Sequence, residues 1–274
     1  MALASVKAET LPLFEKPSAE SARLDEALYG MSVQVIQTSE SGWSYVRTEH
    51  HTEGYAAANR LELDAEVAAA WRKYQKMVVL APYIDVQRQN APEAPRVLSV
   101  PRGGILVPLG QPGIDGWQKV GLTDGAVGYT RASYLGEVIE DWNAVAEDDM
   151  RWNLVETALS YNGTAWRSGG RSPLGIDAAG LAAMTYQMNG VVVPREVFWK
   201  PGTALRKIEA RKMDEGDVIY FVGSVGIYMG EQKFVHATDL AGGEGVVVSS
   251  LDAKDEDYRG DLAGHIVAVA SLYG

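Results

Sequence analysis

Apolar positions in the first half of the chain recur at every second residue over short runs, the period of a half-buried strand. Val33 and Val35 alternate with Ser32 and Gln34, and Trp43 and Tyr45 flank Ser44. Both pairs are expected to face a small core. Turn residues separate such runs, with His50-His51-Thr52 in one place and Thr123-Asp124-Gly125 in another. The second is a strong hairpin signal. Between Asp64 and Lys76 the period changes. There, Val67, Trp71 and Tyr74 sit at helical spacing in an Ala- and Glu-rich stretch, which predicts a short helix over 65–76. Ala91-Pro92-Glu93-Ala94-Pro95 reads as a loop.

The second half has longer periods first and strands after. Val145, Met150, Trp152, Leu154, Val155, Ala158 and Leu159 predict an amphipathic helix within 141–162, ended by Gly163. A Gly-rich loop, 168–175, leads into an Ala-rich stretch from Asp177 to Gly190. That stretch predicts a buried helix, with Asp177 near the N-cap and Gly190 at the C-terminal end. Apolar runs at 217–222, 225–229, 233–237, 246–249 and 266–272 predict strands. A helix pair followed by a run of strands predicts an α+β domain.

The first half also repeats itself. Gly42-Trp43-Ser44-Tyr45-Val46 leads to Gly54-Tyr55 and Leu61, and Gly116-Trp117-Gln118-Lys119-Val120 leads to Gly128-Tyr129 and Leu135, at identical spacing. This pattern resembles the bacterial SH3 (SH3b) family. The resemblance implies two small all-β barrels, 1–64 and 77–138, joined by the helix at 65–76. Such modules dock on cell-wall polymers or pack beside a catalytic domain. Two purely structural barrels are the alternative.

Composition narrows the chemistry. The 274 residues are 46% apolar and 22% charged, ordinary for a globular protein. With 25 Lys and Arg against 36 Asp and Glu, the net charge is −11, a poor match to nucleic acid or to an anionic membrane surface. No apolar run approaches the length of a membrane span. The N-terminus lacks the basic and apolar regions of a signal peptide, so none is expected in this chain, and the compartment stays open. There is no cysteine. Disulfides, thiolate metal sites and a cysteine nucleophile are therefore excluded. His50, His51, His236 and His265 show no metal-ligand spacing, and neither a metal nor another cofactor is expected.

Five blocks in the second half carry the remaining information. They are Gly163-Thr164-Ala165-Trp166-Arg167-Ser168-Gly169-Gly170, Gly175-Ile176-Asp177-Ala178-Ala179-Gly180-Leu181, Gly216-Asp217-Val218-Ile219-Tyr220-Phe221, Val225-Gly226-Ile227-Tyr228 and Phe234-Val235-His236-Ala237. In order and coverage they resemble the NlpC/P60 cysteine peptidases, which implies a papain-like domain over 141–274. With two SH3b modules in front, the layout resembles γ-D-glutamyl-L-diamino acid endopeptidases, enzymes that cut peptidoglycan stem peptides.

That resemblance implies an active site whose parts are missing. The family places a cysteine at the start of the buried helix, where the helix dipole and an imidazole lower the thiol pKa. Here Ala178 stands in its place. The base position, just before Val-Gly-Ile-Tyr, is Ser224. The orienting position is His236 and is kept. Trp166 replaces the tyrosine beside the nucleophile, and Ser168 a tryptophan. An engineered cysteine-to-alanine change would account for Ala178 but not for the other departures, so a naturally degenerate site is expected.

Asp177 reads either as a surviving carboxylate for a ligand amine or as a helix cap. Glu20 and Tyr55 are candidates for a rim contributed by the first SH3b module. Arg167 and Arg171 could meet a peptide carboxylate or stay solvated. Three functions follow: a non-catalytic homologue that binds a muropeptide or wall fragment, a structural protein that engages a protein partner through a blocked cleft, or a hydrolase using Ser224 or another non-cysteine nucleophile.

Overall fold

The computed structural model describes residues 2–240 and 244–274. The chain divides into two compact units, one ending at Val138 and the other running from Ile139 to Gly274.

The strands of the first unit come in two sets. The first holds β1 (Ala2–Val6), β2 (Thr10–Phe14), β3 (Arg23–Leu28), β4 (Ser32–Thr38), β5 (Trp43–Arg47), β6 (Glu53–Ala57) and β7 (Leu61–Glu62). Helix α1 (Ala65–Lys73) separates it from β8 (Met77–Val79), β9 (Tyr83–Gln87), β10 (Arg96–Pro101), β11 (Ile105–Pro108), β12 (Trp117–Gly121), β13 (Val127–Arg131) and β14 (Leu135–Glu137). Neighbouring strands run β3-β2-β6-β5-β4-β1-β7 in one set and β10-β9-β13-β12-β11-β8-β14 in the other, the same order strand for strand. Neither set closes into the barrel that the sequence suggests. The last strand of each is two or three residues long and pairs with the first, β7 with β1 and β14 with β8.

The alternation on β4 holds: Val33 and Val35 are buried. On β5 the faces are reversed. Ser44 and Val46 point inward, while Trp43 and Tyr45 lie on the other side against Phe14 and Tyr55. The β4–β5 register pairs Val46 with the buried Val35, so Val46 shares its inward face and Ser44, two residues earlier, follows. Tyr29 follows β3 and enters the apolar cluster of the second set, beside Val79, Ile84 and Val120, where Thr123 N–H donates to its hydroxyl at 3.0 Å. Asp64 caps α1 by accepting from Glu66 N and Val67 N. Trp71 anchors that helix with an indole hydrogen bond to Gly30 O at 2.9 Å. The helix ends at Lys73, leaving Tyr74 exposed.

The second unit contains α2 (Glu147–Leu159), a two-residue hairpin of β15 (Arg171–Ser172) and β16 (Gly175–Ile176), and α3 (Ala178–Gln187). A sheet follows from β17 (Arg206–Ile208), β18 (Val218–Phe221), β19 (Ser224–Tyr228), β20 (Lys233–Thr238), β21 (Gly245–Ser250) and β22 (Ile266–Ser271), with α4 (Gly260–Ala263) before the last strand. Its order is β17-β22-β18-β19-β20-β21, antiparallel throughout. Helix α2 is shorter than its pattern predicts. A 3-10 turn takes Trp142–Ala144, Val145 stays outside the helix, and Trp152 is 62% exposed. The buried face is set by Met150, Leu154, Val155 and Ala158, to which Trp152 lies opposite.

Helix α3 is buried from Ala178 to Tyr186. Small residues permit this, because the helix packs directly on backbone. A Cβ on Gly180 would lie 2.1 Å from Gly170 O. At its far end Tyr186 donates to Gly216 O at 2.6 Å, and Arg151 of α2 pairs with Asp217 at 3.1 Å. The helix start is thereby held between the Gly-rich loop and the sheet. Replacing glycine by alanine in an open helix gains about 1 kcal/mol. At Gly180 the clash should win: Gly180→Ala is expected to lower stability by about 1–3 kcal/mol, read as a reduced urea midpoint with an unchanged slope.

Candidate functional site

The carboxylate of Asp177 organises the start of α3. The residue is the N-cap, in extended conformation, and its Oδ1 accepts from Gly180 N at 2.8 Å. Its Oδ2 accepts from Gly169 N at 2.7 Å, tying the Gly-rich loop to the helix. Arg195 Nη2 lies 2.5 Å from both oxygens. Two backbone amides and a guanidinium take up most of the acceptor capacity of one carboxylate. Nearby, Ile176 N–H donates to Ala165 O at 3.0 Å, and Trp166 forms a parallel bridge with Ile176. This brings Trp166 beside the first turn of α3.

The opposite wall comes from the sheet. Ser224 begins β19 after a turn at Gly223, whose φ of 76° is open to glycine at little cost. Gly226, two residues on, is the cross-strand partner of His236 on β20. Residues two apart share a face, so Ser224 and His236 lie on one side of the sheet. Together with Asp177, Ala178, Trp166 and Arg195 they line a cavity of about 520 Å³. Trp166 stands in the wall of this cavity and does not fill it. The structure therefore brings five of the sequence candidates together. Glu20 and Tyr55 belong to the first unit, Glu20 on an exposed turn and Tyr55 on β6 against Tyr45. Arg171 is buried on β15, not solvated.

His236 is 1% exposed. Its Nε2 is 2.9 Å from Ser249 Oγ, and its Nδ1 is buried with no hydrogen-bond partner among the described residues. Burial pushes its pKa down to about 4, and the Arg259 guanidinium adds to the depression while Asp261 opposes it. The imidazole is therefore neutral near pH 7. Arg259 and Asp261 form a two-pronged pair at 2.8 and 2.7 Å in the same cavity wall. The first turn of α3 offers Ala178, Ala179 and Gly180, none of which can attack a carbonyl. Ser224 carries a hydroxyl where a base would need a pKa near neutrality. Among the described residues no cluster of His, Asp or Glu could hold a metal ion.

Sequence reasoning missed Arg195, Ser249 and the Arg259–Asp261 pair. Arg195 lies in an irregular stretch without periodicity, and nothing local in the sequence pairs it with Asp177. The short spacing of Arg259 and Asp261 was the one visible signal.

The NlpC/P60 family profile matches residues 163–259, and the bacterial SH3 domain profile matches residues 9–62. Dipeptidyl-peptidase 6 of Lysinibacillus sphaericus is 36% identical over 263 residues, covering 95% of this chain and 96% of that protein. The murein DD-endopeptidase MepS/murein LD-carboxypeptidase of Escherichia coli is 29% identical over 133 residues, 46% of this chain and 69% of the relative. A solved NlpC/P60 family protein from Bacillus cereus superposes over the whole of both chains with a TM-score of 0.79 at 16% identity.

Two outcomes test this geometry. Asp177→Ala removes a helix cap and leaves a largely buried guanidinium without its carboxylate, so it should cost about 2–4 kcal/mol in urea unfolding. His236 has a folded pKa below its unfolded value of 6.5. Its contribution is complete above that value and is lost as pH falls towards about 4. Between pH 7 and 4.5 the loss should be about 2–3 kcal/mol, and His236→Asn should flatten that part of the stability profile. An equal slope in both proteins would refute the assignment.

Proposed function

The chain belongs to the NlpC/P60 family, and on that footing we propose that it is a catalytically silent member that holds a peptidoglycan-derived peptide in the cavity at the start of α3. One observation carries this reading: the helix N-terminus, where a thiolate would be stabilised, presents the methyl group of Ala178 to a cavity of ligand size. Named relatives act on murein, which supports a wall peptide as the class of ligand. Asp177, Trp166, Ser224 and His236 are the proposed contacts.

We also read the first unit as two SH3 modules, 1–64 and 77–138, linked by the helix at 65–76. The shared strand order supports this division. A protein-docking role for the cleft is the competing reading. It draws on Arg195, which already neutralises the carboxylate that a free ligand amine would seek.

Incubation with L-Ala-γ-D-Glu stem peptides should release no product, while calorimetry should detect binding that Trp166→Ala weakens by about tenfold, a typical loss for an aromatic contact. Heat-silent titration at millimolar peptide would turn the assignment towards the docking role. Product release abolished by Ser224→Ala would instead establish a serine-based hydrolase. The paired substitution Ala178→Cys with Ser224→His should restore measurable cleavage if only the reacting groups are missing.

A further inference from the structure

The two arginines in the wall of the α3 cavity are held differently. Arg195 places Nη2 against both oxygens of Asp177, and its side chain is 9% exposed. Arg259 donates from Nε to Asp261 Oδ1 at 2.8 Å and from Nη2 to Asp261 Oδ2 at 2.7 Å. A guanidinium carries its N–H donors in a planar fork. Asp261 takes one edge of that fork, Nε with Nη2, and leaves the edge formed by Nη1 and the second hydrogen of Nη2. The Arg259 side chain is 20% exposed and that of Asp261 54%. Water therefore screens the carboxylate more than the cation.

The backbone fixes where Arg259 stands. It closes the loop at 250–259: its N–H donates to Ser250 O at 2.9 Å, and Ser250 N–H donates to Asp257 O at 3.0 Å, so the ends of the loop meet. Lys233 of β20 clasps this loop, 2.8 Å from Asp255 and 2.7 Å from Asp257. Ser250 Oγ donates to Asp255 Oδ2 at 2.7 Å. A guanidinium carried on a closed, clasped loop has little freedom left to lose when it meets a ligand. Its field also reaches the buried imidazole on the same cavity wall. Arg259 depresses the pKa of His236 more than Asp261 raises it. The pair carries no net charge, yet its field at the imidazole is that of the cation.

We propose that Arg259 is the specificity-determining residue of the α3 cavity and that its unclaimed edge binds a carboxylate of the ligand, so that the cavity selects acidic peptides over their amides. The inference rests on the reading of this cavity as a peptide site. A planar carboxylate matches the parallel N–H bonds of a guanidinium edge, and charge-assisted pairs of this geometry are among the stronger hydrogen bonds. Asp261 keeps its own edge, so no intrachain pair has to break. At Asp177 the reverse holds, since a ligand amine there would have to displace Arg195. A polyanion is opposed by Glu196 and Asp239, which line the same cavity. A short peptide with an isolated carboxylate satisfies both conditions.

Calorimetry of the full chain with L-Ala-γ-D-Glu-L-Lys, and with the same peptide amidated either at the glutamyl α-carboxylate or at the C-terminus, would test it. One of the two amides should bind about tenfold more weakly than the free acid. Arg259→Gln should weaken the free acid by a similar factor and bring acid and amides to equal affinity, a loss of discrimination that a purely structural change would not produce. Asp261 is more than half exposed, so this variant should keep a thermal midpoint close to the parent's. Amides that bind the parent protein as tightly as the acid would overturn the role of Arg259 and leave the peptide site standing. So would an Arg259→Gln variant that still prefers the acid. Binding of none of the three peptides would remove the peptide site itself, and this inference with it.

Discussion

The second unit depends on one partly buried carboxylate. Asp177 caps α3 through Gly180, holds the Gly-rich loop through Gly169, and is balanced by Arg195 from an irregular segment. Its partner Arg195 is more enclosed still, and the pair is tolerable only intact, because an unpaired buried charge costs several kcal/mol. The three contacts therefore fix one another. The loop cannot lift from the helix without exposing Gly169, and Arg195 cannot leave without unbalancing the site. Gly170 and Gly180 let the loop and helix backbones touch, which brings the carboxylate within reach of both. The position of Ala178 in the cavity wall follows from this arrangement.

The same carboxylate bears on what the cavity can recognise. A free ligand amine would have to compete with an intrachain guanidinium that suffers no loss of translational freedom on binding. The cavity therefore offers neutral hydrogen-bonding groups more readily than a bare negative charge. His236 fits this pattern, since burial keeps it uncharged near neutral pH. Arg259 and Asp261 neutralise each other on the same wall. Two matched ion pairs and a neutral imidazole make a site suited to shape and hydrogen bonding, in a chain whose overall charge is −11.

Much of this arrangement could be read from the sequence, and the omissions have physical causes. Equal spacing of Gly-Trp, Gly-Tyr and leucine identified the repeat, because turn glycines and strand aromatics recur at fixed steps in a repeated topology. The capping role of Asp177 was legible because capping is local. The inward direction expected for Trp43 and Tyr45 failed because Val46, not Tyr45, pairs with the buried Val35, and alternation alone carries no information about which face is inside. Trp152 points to solvent because its phase on the helix opposes that of Met150, Leu154 and Ala158, which a list of apolar residues does not show. The hairpin of β15 and β16 is two residues per strand, too short to show any period. Arg195 was out of reach because a pairing made by tertiary structure leaves no trace in spacing.

The contrast between the two repeats shows how one topology can carry different packing at matching places. Both sets keep the same strand order and the same tryptophan, so the backbone frame is common. In the first set, Phe14 closes against Trp43, and the aromatic pair is used for packing. In the second, an amide takes that place, the indole carries a guanidinium on its face, and Gln87 Oε1 and Thr130 Oγ1 are buried with no hydrogen-bond partner among the described residues. Leaving a buried hydroxyl and carbonyl unpaired costs about 1–3 kcal/mol each. A frame already stabilised by the shared core around Tyr29 can carry that cost, whereas an isolated module of this size would have little margin. The insertion of Tyr29 into the neighbouring core thus adds to the frame that carries those unpaired atoms.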